Sequence, residues 1–110
     1  MAGESHTYPS WLAADERKAE RIPVNWVATL ASIKFPAEDA SLIDISNLGC
    51  CLRTSRIVSV GTFVTVGIPH FTGVPGWIAW SKGGEMGVDF SHALPKAVVE
   101  EIIRRNTTSF

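Results

Sequence analysis

Two short stretches hold the residues best suited to chemistry. The first is Arg17-Lys18-Ala19-Glu20-Arg21. Arginines four positions apart point the same way in a helix, where four is close to one turn, and in a strand, where four is two periods. Only the reach differs: about 6 Å along a helix axis against about 13 Å along a strand. A pair of guanidinium forks grips an object with two anionic groups or two acceptor edges. Arginine is the side chain for bidentate phosphate contact and for the O6/N7 edge of guanine, and it stacks on bases. The run also holds Asp15, Glu16 and Glu20. Taken alone it therefore reads as a solvated, self-paired surface segment, since exposed ion pairs are common and weak.

The second stretch is Asp44-Ile45-Ser46-Asn47-Leu48-Gly49. At the end of an expected strand, Asp44 and Ser46 share one face, with Ile43 and Ile45 on the other. An ionised carboxylate accepts N–H donors such as those of the guanine Watson–Crick edge, and a hydroxyl donates or accepts. Gly49 permits a positive φ and a close backbone approach. Alone, these residues read as turn formers at a strand end. Together the two stretches say more, because they lie on either side of one expected hairpin and so end at the same rim. Arginine forks opposite an acid–hydroxyl rim match a guanine carrying phosphate.

The elements that must position them show in the periodicity. From Val24 to about Phe35 the chain alternates, with Val24, Trp26, Ala28 and Leu30 on one face, which predicts a strand. Pro36-Ala37-Glu38-Asp39 reads as a turn. Further strands are expected at about 40–46, Cys50 to Arg53, Thr62 to Ile68, Trp77 to Lys82 and Met86 to Phe90. Asn47-Leu48-Gly49 and Gly73-Val74-Pro75-Gly76 fall between them as turns, and Gly83-Gly84 is a strong hairpin signal. Then the period changes. Val98, Ile102 and Arg105, with Val99 and Ile103 beside them, have helical spacing after Pro95. Short strands at this spacing with Gly-rich turns predict a mainly all-β fold, a small six-stranded antiparallel barrel with a C-terminal helix over one opening or flank.

Length and composition narrow the field. A chain of 110 residues makes one domain and buries roughly two thirds of its unfolded surface, enough for one core. Hydrophobic residues are 45% and charged residues 19%, an ordinary globular balance. The net charge of −1 argues against a polyanion binder. No apolar run reaches the ~18 residues of a membrane helix. The N-terminus has neither a basic nor an apolar signal region, and the adjacent Cys50 and Cys51 form no disulfide framework. The expected setting is the cytoplasm.

The ordered pattern, RxxxR, then a strand, then DxSxxG, then a small barrel and a helix, resembles a PilZ domain. Gly76-Trp77-Ile78-Ala79-Trp80 is similar to that family's GxVxW-like strand, and Gly87-Val88-Asp89-Phe90 to its closing GVxF strand. The resemblance spans residues 15–106, leaving 1–14 as a loosely ordered tail, with a helical turn expected after Ser10, and 107–110 as a short C-terminal tail. It implies a six-stranded barrel that binds the bacterial second messenger cyclic di-GMP. Carried over, the binding residues are Arg17, Arg21, Asp44, Ser46 and Gly49, with Lys18 as an added phosphate contact. One departure is Leu48-Gly49 where many members have Gly-Gly. Another is the acidity around the arginines, which lowers the local positive potential and weakens affinity.

The remaining residues point to no other chemistry. His6, His70 and His92 are scattered, with no second ligand at metal spacing. Cys50 and Cys51 project to opposite faces of a strand and read as small core or half-buried residues. Trp77 and Trp80 differ by an odd number, so one is expected inside and one outside. No nucleophile–base pair, P-loop or GxGxxG is present. The expectation is a binding module, not an enzyme, with no metal and no cofactor, and with cyclic di-GMP and a downstream effector protein as partners rather than membrane or nucleic-acid polymer. The alternatives are a ligand-independent protein-interaction domain of the same fold and a barrel for single-stranded nucleic acid, the latter disfavoured by the near-neutral charge.

Overall fold

The computed structural model describes residues 21–108. The expected tail at 1–14 and the helical turn after Ser10 lie outside them. Six strands form one closed antiparallel barrel: β1 (Ile22–Ser32), β2 (Phe35–Ile45), β3 (Gly49–Arg53), β4 (Phe63–Gly67), β5 (Val74–Lys82) and β6 (Glu85–Phe90). Around the barrel the order is β1-β2-β3-β6-β5-β4, and β4 pairs back onto β1. One helix, α1 (Lys96–Thr108), follows. No helix among the described residues is long and apolar enough to cross a membrane.

Alternation places the core. On β1, Ala28 and Leu30 are buried with Val24 and Trp26 packed beneath them, and Val27 between them is exposed. Leu42, Leu52, Val64, Ile78 and Val88 add to the interior from the other five strands. Each such side chain contributes about 1.5–3 kcal/mol over its exposed state. The β1–β4 pairing covers only Thr29–Ala31, so the first part of β1 has no strand on that side. The helix packs there instead. Ile102 is fully buried against the core, and the Asn106 amide donates to the Asn25 carbonyl at 3.3 Å. The buried stripe of α1 is Val99, Ile102 and Asn106, and Arg105 is exposed and paired with Glu101.

Two expected turns are strand. Pro36 to Asp39 belongs to β2, and the β1–β2 turn is at Ile33-Lys34. Proline survives there because a bulge lies between the Leu30–Glu38 and Ser32–Phe35 pairs, and β3 joins β2 only from Ser41 onward. A missing N–H costs nothing where no ladder bond would form. Val74, Pro75 and Gly76 likewise open β5, paired to β4 as far as Val66. The Gly83-Gly84 hairpin is as expected, with φ of 62° and 82°, as a two-residue turn of the primed type requires.

Candidate functional site

Of the candidate residues, Arg21, Asp44, Ser46 and Gly49 lie within the described residues; Arg17 and Lys18 lie outside them. Arg21 and Asp44 are brought together. The Pro23–Asp44 register sets the start of β1 beside the end of β2, and Arg21 Nη1 stands 3.6 Å from Asp44 Oδ1. That is an ion pair too long for a hydrogen bond. Asp44 Oδ1 is sealed from solvent without a hydrogen-bond partner, although the side chain as a whole keeps 23% of its exposure. Burial pushes the Asp44 pKa above the ordinary carboxylate value; Arg21 and the Cys51 backbone oppose this, and Glu85 adds to it. The carboxylate is under-supplied with donors.

The strand end departs from simple alternation. Pairing with β3 slips between Leu42 and Asp44, a bulge that puts an extra residue in β2. As a result Leu42 and Ile45 are both buried, while Ile43 and Asp44 are partly exposed. Ser46 is not exposed beside Asp44. It lies past the strand end and is buried, with its hydroxyl accepting from the Leu48 N–H at 3.1 Å and donating to the Gly49 carbonyl at 3.4 Å. The loop it shapes is clamped from outside: the Phe90 N–H donates to Leu48 at 2.9 Å and the Leu94 N–H to Asn47 at 2.7 Å. Gly49 has no positive φ. Its requirement is the close approach, since a Cβ there would collide with the Val88 carbonyl oxygen.

Register carries the site across the barrel's outer face. Asp44 pairs with Cys51, Cys51 with Gly87, and Gly87 with Trp80. Trp80 lies over Gly87, where any side chain would run into its indole. The expectation that Trp77 and Trp80 face opposite sides fails, because a bulge between Ile78 and Trp80 adds a residue to β5. Both are exposed, by 45% and 37%, and neither is core. Sequence reasoning missed this aromatic flank of the site, as nothing in Gly76 to Trp80 marks the bulge. Cys50 is core and Cys51 is buried in the outer row. Burial, with Asp44 nearby, pushes the Cys51 thiol up to about 11, which keeps it protonated and inert at neutral pH.

The wall thus offers a carboxylate in need of N–H donors, a guanidinium at hand, and farther along an indole laid over Gly87. An apolar cavity of about 300 Å³ lies elsewhere, among Ile68, Phe71, Val74, Leu94, Val98 and Ile102, and none of the candidate residues lines it.

Comparison with known proteins adds the following. A family model described as PilZ domain matches residues 15–107. No curated protein sequence matches. The crystal structure of the PilZ domain of CeSA from a cellulose-synthesizing bacterium aligns with a TM-score of 0.55 at 16% identity, over 82% of this chain and 97% of that one. The Bacillus subtilis inhibitor of motility (MotI/DgrA) aligns with a TM-score of 0.58 at 12% identity, over 84% of this chain and 52% of that one. The chain therefore spans about half the length of the latter. At these identities the structures show a shared fold.

Proposed function

The chain belongs to the PilZ domain family, and from that premise we propose that it is a receptor module for cyclic di-GMP, acting in the bacterial cytoplasm, that changes conformation on binding and signals to a partner protein. The observation that carries this reading is the meeting of Arg21 with the under-supplied Asp44 carboxylate on the outer wall of the barrel. Asp44 accepts the N1–H and N2–H donors of a guanine, which Arg21 at 3.6 Å does not replace. Arg17 and Arg21 take phosphate oxygens and the O6/N7 edge, and Lys18 adds a phosphate contact. Ser46 and Gly49 position the rim, the first by holding the turn and the second by letting β3 and β6 approach. Trp80 flanks the base.

Binding exchanges the Arg21–Asp44 ion pair for contacts to the ligand. Arg21 therefore occupies different positions in the free and bound protein, and the surface presented in the bound state is the one an effector reads. A solved structure of the same fold carries the name of an inhibitor of motility, in keeping with a module that acts on another protein.

Titration calorimetry with cyclic di-GMP, and with GMP and GTP as controls, tests the reading. The wild-type chain is expected to give saturable heat with the dinucleotide. Arg17→Ala or Arg21→Ala abolishes it, and Lys18→Ala weakens it. Unchanged affinity in both arginine variants overturns the assignment, and absence of heat from the wild type favours the ligand-independent interaction domain.

A further inference from the structure

The same wall holds an acid and a tryptophan on neighbouring strands that this binding mode leaves unused. Asp89 faces outward on β6, between the buried Val88 and Phe90. Its cross-strand neighbours are Gly49 on one side and Trp77 on the other. Trp77 is exposed and steadied by an edge-to-face contact with Phe63, ring centroids 5.2 Å apart. Two residues back along β6, Gly87 stands in the row that joins Asp44 to Trp80. The Asp89 row thus sets a glycine, a carboxylate and an exposed tryptophan on three neighbouring strands, one row from the line of Asp44, Cys51, Gly87 and Trp80. From ordinary strand spacing and rise, the Asp44 and Asp89 Cα atoms lie roughly 12 Å apart. A ligand with two bases on one small ring spans such a distance.

We propose that Asp89 and Trp77 form a subsite for the second purine of the dinucleotide, and that Asp89 selects guanine there. The proposal rests on the reading of Asp44 as the acceptor for the first guanine. A carboxylate accepts from N1–H and N2–H of guanine in charge-assisted bonds, about twice as strong as neutral ones. Adenine presents a bare N1 acceptor and no N2 donor, so the same carboxylate faces a lone pair and rejects it. Trp77 supplies the face on which the base stacks, and stacking tolerates either purine. Base identity is thus read by Asp89, and general affinity is supplied by Trp77.

The test compares cyclic di-GMP with cyclic GMP–AMP, which carries one guanine and one adenine, by calorimetry on the full chain. The wild type is expected to prefer cyclic di-GMP by about tenfold, the low end of a well-made base contact. Asp89→Asn lowers affinity for cyclic di-GMP and erases most of that preference, with little change for the hybrid. Trp77→Leu weakens both ligands by about tenfold and keeps the preference. Both residues lie on the outer face, so thermal unfolding of the variants is expected to match the wild type; if Trp77→Leu fails to fold, Asp89→Asn alone decides. An unaltered preference in Asp89→Asn overturns the subsite. If Asp44→Asn abolishes binding while Asp89→Asn does nothing, only this subsite falls; if the wild type binds neither ligand, the receptor reading falls with it.

Discussion

Asp44 is a residue that the free protein leaves short of hydrogen-bond donors. One carboxylate oxygen is sealed and accepts no hydrogen bond, and the Arg21 guanidinium stands 3.6 Å from it. A buried acceptor left without a donor costs about 1–3 kcal/mol, and a half-exposed ion pair returns at most about 1 kcal/mol. Asp44→Asn removes the charge and keeps the shape. The variant is expected to be more stable than wild type at pH 7, by about 1 kcal/mol at most, and to bind cyclic di-GMP far more weakly. The pH dependence fixes the sign. The folded-state pKa of Asp44 is raised, chiefly by burial, so the ionised form costs stability above its titration range. That cost fades as pH falls through the range and the wild-type carboxyl takes up its proton. The gain from Asp44→Asn should therefore be present at neutral pH and shrink toward pH 4. Thermal unfolding of both proteins across that interval is the measurement, and a variant less stable at every pH would show that the Arg21 pair outweighs desolvation. Asp44 and Arg21 could be picked from the sequence because their types and spacing already imply the chemistry. The donor shortage was hidden, since it arises from the packing around Asp44.

Among the elements, the places where strict alternation fails decide what the wall presents. The slip between Leu42 and Asp44 and the one between Ile78 and Trp80 each add one residue to a strand, which moves all later side chains to the other face. Without the second, Trp80 would point inward. Gly87 lies flat under the Trp80 indole, and Gly49 lies against the Val88 carbonyl. Alanine at the two sites should behave differently. At Gly49 the obstacle is backbone, so β3 and β6 must part, with an expected loss of about 1–3 kcal/mol. At Gly87 the obstacle is a half-exposed side chain that swings outward, so stability changes little and the Trp80 flank is lost. Denaturant midpoints read the first effect; indole fluorescence together with ligand affinity reads the second. Equal stability losses at both positions would mean that Trp80 is locked in place. The strands, the Gly83-Gly84 hairpin and the helix were legible because hydrophobic period and turn chemistry are local signals. The Ile33-Lys34 turn was not, because Pro36 is a turn residue by type and enters β2 only where the neighbouring ladder has a gap. A bulge depends on what pairs across the sheet, which one strand's sequence does not contain.

At the scale of the whole molecule, rim and helix are held by different contacts. The rim loop is tied to backbone that precedes α1, through Phe90 and Leu94. The helix covers the part of β1 that β4 leaves unpaired, with Ile102 reaching the core. Truncating Ile102 therefore separates stability from binding. Ile102→Ala removes a fully buried side chain, and such changes cost about 2–5 kcal/mol. The low end is expected, because Ile102 also borders the apolar cavity of about 300 Å³, and its neighbours there have room to relax. Against a total of roughly 5–15 kcal/mol, the variant should remain folded at 25 °C, with a lower urea midpoint and an unchanged slope. Its affinity for cyclic di-GMP, measured where it is fully folded, should equal that of wild type, since none of the bonds clamping Asn47 and Leu48 comes from within the helix. A folded Ile102→Ala protein with weakened binding would place α1 within the ligand-responsive machinery. The helix would then be the element that carries the signal, in place of the arginine segment.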